Sequence, residues 1–262
     1  MGVSTRKVQM RGKYKLEILS IMAFVAVTSC CICAQQPDFS SLTHGGPFES
    51  VEQRLKKHDV PLNKTGLLRA LHGSDSEVKW LAASELIHLN GKDAVPDVVQ
   101  ALDAEEDPMA RVLIANVLAQ AQEPQGLAAL KGMCNDAAVA GYWRMEAAED
   151  LLNLDHQECL NSVADVLQAT AQDANTEITL RHALTLLPRF RNLSAEDSEK
   201  LLTRRGMLVN SDSLIRATAG RALGDFGNSA AIPYLDRTIA AEANRDTSTE
   251  LKAGLERLKT KE

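Results

Sequence analysis

Five cysteines, six histidines and one tight group of carboxylates are the residues of this chain that could do chemistry. Cys30, Cys31 and Cys33 crowd the N-terminal end, while Cys134 and Cys159 stand apart in the body. A cysteine nucleophile needs a base and an orienting group within hydrogen-bond reach. A pocket joining Cys159, His156 and an acid would supply them. The histidines at 44, 58, 72, 88, 156 and 182 show no metal spacing: there is no H-E-x-x-H, no H-x-H and no C-x-x-C with a partner pair. His88 and His182 read as packing or surface residues. Glu146, Glu149 and Asp150 recur at helical spacing on one face. Such a row could do acid–base work, but a solvated charged face explains it without catalysis. G-x-S-x-G, the P-loop and G-x-G-x-x-G are all missing. No catalytic, cofactor-binding or metal-ligating residue is assigned on this basis.

The elements that would position these residues are helices in a repeat. Asp212 to Leu235 reads D-S-L-I-R-A-T-A-G-R-A-L-G-D-F-G-N-S-A-A-I-P-Y-L, and Asp75 to Val99 follows the same template. Asp75 matches Asp212, Val78-Lys79 matches Ile215-Arg216, and Leu86 matches Leu223. Pro96 and Pro233 each lie 18 residues after the apolar position. Further copies run through Ala110-Arg111, Trp143-Arg144 and Ile178-Thr179. The basic-position residues 79, 111, 144, 179 and 216 are 32, 33, 35 and 37 residues apart, a period that indicates a solenoid.

Each part of the template has a physical reason. Asp75, Asn175 and Asp212 can cap a first helix by accepting from its free N–H groups, and Asp107 precedes a proline suited to the first helical position. In the Trp143 copy Ala140 sits at the cap place, so the cap is lost or shifted. Residues 4, 5 and 8 after the apolar position share one helical face, where Ala and Gly allow close approach. Gly91 and Gly227 end first helices, since glycine takes positive φ without strain. Lys79, Arg111, Arg144 and Arg216 could form an anion ladder. Bonds to turn carbonyls or to the cap Asp four residues earlier are the simpler use. Trp80 and Trp143 flank the basic position and read as seam or rim residues.

The pattern resembles the HEAT-like repeats named after phycobilisome lyases, over roughly residues 75–240. The resemblance implies an all-α solenoid of about five to six antiparallel helical hairpins, of HEAT/armadillo type. It implies scaffolds and adaptors above all. A lyase-like enzyme or enzyme subunit is the alternative, although those lyases work in the cytoplasm. Around the repeats, helices near 48–58 and 64–71 and a last amphipathic helix with Leu251, Leu255 and Leu258 read as caps of the seam.

The N-terminus points elsewhere in the cell. Arg6, Lys7, Arg11, Lys13 and Lys15 precede the apolar run Ile18–Val27, and small residues follow. Val27-Thr28-Ser29-Cys30 resembles a bacterial lipobox that would place a lipid on Cys30. A cut after Ala34 is the competing outcome, and a retained anchor is a third, although Glu17 shortens the run below the ~20 residues that span a bilayer. Residues 1–34 are thus an export or lipoprotein signal, 35–47 a polar tether, and 48–262 the solenoid. The expected location is the periplasm or cell envelope, with a membrane tether through the N-terminus as one arrangement.

Subtracting the signal's +4 from the chain's −6 leaves the rest at −10. An acidic body repels phosphate backbones and disfavours nucleic acid. One stretch runs against the trend: Arg181, Arg189, Arg191, Arg204 and Arg205 form either a docking patch for an acidic partner or ordinary solvated faces. The expected function is a non-enzymatic scaffold without cofactor, binding a protein or peptide on a concave surface lined by the second helices. With no reaction centre in view, Cys134 and Cys159 are expected as buried free thiols, because second helices stacked flush in parallel would hold them roughly 12 Å apart at 1.5 Å per residue.

Overall fold

In the computed structural model, residues 49–168, 174–204 and 206–260 are described, and they contain helices and turns but no strand. The stretches expected as signal and tether, with Cys30, lie outside the described residues, as does Arg205. No described helix is long and apolar enough to cross a membrane. Ser50–Glu262 forms one unit.

A leading pair, α1 (Val51–Lys57) and α2 (Lys64–Leu71), packs against α3. Five hairpins follow, each a first helix and a second helix. They are α3 (Ser76–Asn90) with α4 (Val95–Asp103), α5 (Pro108–Gln120) with α6 (Pro124–Asn135), α7 (Gly141–Asn153) with α8 (Leu160–Gln168), α9 (Ala174–Leu186) with α10 (Ala195–Arg204), and α11 (Ser213–Phe226) with α12 (Ile232–Ala241). A last helix, α13 (Arg245–Thr260), covers α11 and α12. The first helices pack in order, α3 on α5, α5 on α7, α7 on α9, α9 on α11 and α11 on α13. This row is the all-α solenoid that the repeat period implies.

The template residues build the seam. Ala82, Ala83 and Leu86 of α3, Ile114, Ala115 and Leu118 of α5, Ala147, Ala148 and Leu151 of α7, and Ala219 and Leu223 of α11 are all buried. Helix ends follow the sequence signals closely. The Asp75 carboxylate accepts from the N–H groups of Glu77 and Val78 at 2.9 and 3.1 Å, and that of Asp212 from Leu214 at 2.7 Å. Ala140, as expected, provides α7 with no side-chain cap. Asn175 falls inside α9 rather than before it, because that helix already starts at Ala174. Gly91 and Gly227 close α3 and α11 at φ 54° and 77°. Gln122 and Asp155 make the corresponding turns at φ 63° and 66° without glycine.

The expectation of two free thiols fails. Cys134 and Cys159 are joined by a disulfide, with their Cα atoms 6.0 Å apart. The second helices α6 and α8 do not stack flush. The C-terminal turn of α6 lies beside the N-terminal turn of α8, so Lys131 meets Glu158 at 2.5 Å and the Ser162 hydroxyl donates to Asn135 at 3.0 Å. The slip cancels the expected separation and brings the two buried sulfurs together.

Candidate functional site

The second helices α10 and α12 border an opening. Beyond α10 the chain turns at Gly206, with φ 70°, into a 3-10 turn at Met207–Val209. A side chain at Gly206 would strain that positive φ. The turn packs against α10, α11 and α12. Met207 and Leu208 point inward and are buried, whereas Val209 is 79% exposed. A groove of about 540 Å³ results, lined on the turn side by Thr203, Leu208 and Val209 and on the other by α12. Its size falls within the ~300–1,000 Å³ of typical ligand pockets. On α12, Leu235 faces the core, while Tyr234, Arg237 and Ala241 fall at i, i+3 and i+7 and line the groove. The Arg237 guanidinium lies 4.9 Å from the centre of the Tyr234 ring, a cation–π contact.

The floor of the groove is a clasp between neighbouring repeats. Both Glu242 carboxylate oxygens are held by Arg216, from Nε at 2.6 Å and Nη2 at 2.9 Å. Nη1 of Arg216 donates to the carbonyls of Asn210 and Ser211 at 2.7 and 3.0 Å. Glu242 also accepts from the N–H of Asn244, at 2.9 Å. The Arg216 hydrogen bonds hold the Glu242 carboxyl below its ordinary range, and the same pairing raises Arg216. Lys79 repeats the arrangement at the other end. Its ammonium meets Glu105 at 2.7 Å, and Glu105 accepts from the N–H of Asp107 at 2.9 Å. In both copies the acid lies 26 residues after the base. Turn-carbonyl bonding was the expected use of the basic position, and Arg144 also shows it, donating to the carbonyl of Cys134 at 3.1 Å. The second partner differs from expectation: the acid comes from the following linker, not from the cap Asp. Arg111 is exposed.

The acidic group of α7 is a joint between first helices. Asp150 accepts from the Asn116 amide of α5 at 3.0 Å. Glu149 meets His182 of α9 at 2.7 Å and Arg189 at 3.5 Å. Burial first, then the charges of Glu146 and Glu149, push Asp150 up to about 8. The His182 hydrogen bond holds Glu149 down, while burial and Glu146 push the Tyr142 phenol up. Asp150 is thereby biased towards its protonated form and Glu149 towards its charged one. A protonated acid of this kind can donate a hydrogen bond, but its neighbours are the helices it joins.

Two residues of the expected basic patch, Arg189 and Arg191, pair with α7 and the turn after it. Arg189 bonds to Asn153 at 2.7 Å as well as to Glu149, and Arg191 pairs with Asp155. Arg181 is half-buried, with its Nε lacking a hydrogen-bond partner. Arg204 closes α10. Trp80 and Trp143 are partly buried against the core, as seam or rim residues would be. His156 lies 3.3 Å from Glu158, but the neighbouring Cys159 is consumed by the disulfide, so no thiolate is offered there. Among the described residues, no group of histidine, cysteine and acid could hold a metal ion.

Comparison with known proteins bears on the repeats. A family model described as HEAT repeats matches residues 65–153, which run from α2 through α7. The hairpins from α8 onward continue the same row outside the matched stretch. Curated proteins give no match to the chain.

Proposed function

We propose that this HEAT-like solenoid is an exported, non-enzymatic scaffold of the cell envelope that holds a protein or peptide partner in the groove between α10 and α12. The observation that carries the reading is the apolar opening on the second helices. Val209 stands 79% exposed beside Tyr234, with Leu208 and Ala241 in the same lining. Singly exposed apolar residues are ordinary, whereas a contiguous patch in a groove is typical of interaction sites. That HEAT-like repeats serve such roles is an argument from the fold alone. Export is supported by the basic and apolar N-terminus with Cys30 or Ala34 at the cut, and by the Cys134–Cys159 bridge, since disulfides persist in oxidising compartments.

The test is capture from envelope extract with the full chain as bait. A stoichiometric partner is expected, and it should be lost with Val209→Asp. A partner that binds the variant equally well would remove the groove from the account.

A further inference from the structure

Resting on the groove as a docking surface, we infer that its partner is an acidic peptide segment in which an Asp or Glu side chain lies beside a large apolar one. Charge carries the inference. Among the described residues, three charged ones line the groove: Arg216, Arg237 and Glu242. Glu242 has both oxygens held by Arg216, and its side chain is only 3% exposed, so it presents no free anion. The Arg216 guanidinium is spent on that carboxylate and on two turn carbonyls. Arg237 is different. It is exposed and lies over the face of Tyr234.

A guanidinium laid on a ring keeps its N–H edge available and loses little freedom when a carboxylate arrives. The pairing it offers is the two-pronged one that arginine makes with carboxylates. The apolar half of the recognition sits beside it, because Val209, Leu208, Tyr234 and Ala241 share the same lining. A ligand that satisfies both must place an anion next to a hydrophobic side chain. The Asn210 carbonyl at the groove already accepts from Arg216. Residues 35–262 carry −10, and a general attraction for acidic partners does not exist. The preference must come from the local contact, and reversing one charge should abolish it.

The experiment selects a random peptide library displayed on phage against the immobilised full chain, with Val209→Asp and Arg237→Glu as parallel baits. Both altered residues are exposed, so the variants fold. Peptides enriched on the wild type should carry Asp or Glu within two positions of Phe, Leu, Ile or Trp. A synthetic peptide of that type should bind at least about tenfold more weakly to Arg237→Glu, the loss expected for one charge-assisted pair. Peptides lost on Val209→Asp but showing no acidic preference, or binding Arg237→Glu equally well, would overturn the inference and leave the groove as a docking surface. No enrichment over Val209→Asp would overturn both.

Discussion

The joints at the two ends of the solenoid and the joint at its middle are tied by different chemistry. Near the ends, a base on a first helix reaches a carboxylate 26 residues later: Lys79 to Glu105 and Arg216 to Glu242. Each carboxylate also takes the N–H two residues on, at Asp107 and Asn244, the caps of the next first helices. Base, linker and following cap are thereby fixed together. In the middle the same offset from Arg111 and Arg144 falls on Ala137 and Thr170, which cannot supply the acid. There the Cys134–Cys159 bridge ties α6 to α8, and Arg144 bonds the carbonyl of Cys134. A solenoid has no central core to hold its members, so each joint must be secured locally. The ionic joint depends on pH and the covalent one on redox state.

The largest expected effect comes from breaking the middle. Changing both Cys134 and Cys159 to serine opens a loop of 25 residues and should cost about 3 kcal/mol, read as a lower urea midpoint. Hydrogen exchange should rise in α6 to α8 and leave the Arg216–Glu242 joint unchanged. An equal rise along the whole chain would mean that the joints are not independent. Glu242→Gln, at the clasped end, should cost about 2 kcal/mol, because Arg216 stays half-enclosed without its counter-charge. The pH dependence sharpens the point. The Glu242 carboxyl is depressed in the fold, so its stabilisation is present above the ordinary value of 4.5 and is lost as pH falls through the folded value. Below the ordinary carboxylate value, stability should therefore fall less steeply with pH in Glu242→Gln than in the wild type, whereas the double cysteine variant should keep the wild-type slope.

Gly254→Ala tests the cap beyond that clasp. A methyl at Gly254 would run into the carbonyl oxygen of Gly220, where α13 crosses α11 backbone to backbone. About 1–2 kcal/mol should be lost, measured by thermal unfolding. The smallest effect at low pH belongs to the first-helix joint in the middle. Asp150 is raised from 3.8 to about 8 in the fold. Its contribution is fully present below 3.8 and is lost as pH rises through about 8. Asp150→Asn copies the protonated form. Its stability should vary less with pH than that of the wild type, and its gain over the wild type should grow as pH rises from 3.8 towards about 8.

The sequence shows the fold because the repeat is written in local terms. A cap, a base, two small residues and a leucine recur at fixed offsets, and the structure buries those positions in the same order. The joints are harder to read, since each depends on how far one hairpin slides against the next. Flush stacking places Cys134 and Cys159 too far apart, and no residue type announces the slip that brings them together. Glu105 and Glu242 did carry a signal: each stands 26 residues after a base and two before a cap. That signal emerges only when linkers are compared as carefully as helices. Asp150 looks like part of a solvated face, because its Asn116 partner belongs to another repeat 34 residues away. The groove escapes the template altogether, as Gly206–Asn210 has no helical period and acts as a wedge.

The middle joint is the most direct test, and native protein digested without reduction is enough to examine it. Mass spectrometry should find the peptides containing Cys134 and Cys159 linked to each other, and a mature N-terminus beginning at lipidated Cys30 or at Gln35. Two alkylatable thiols at 134 and 159, with Met1 still in place, would contradict the covalent joint and the exported scaffold together.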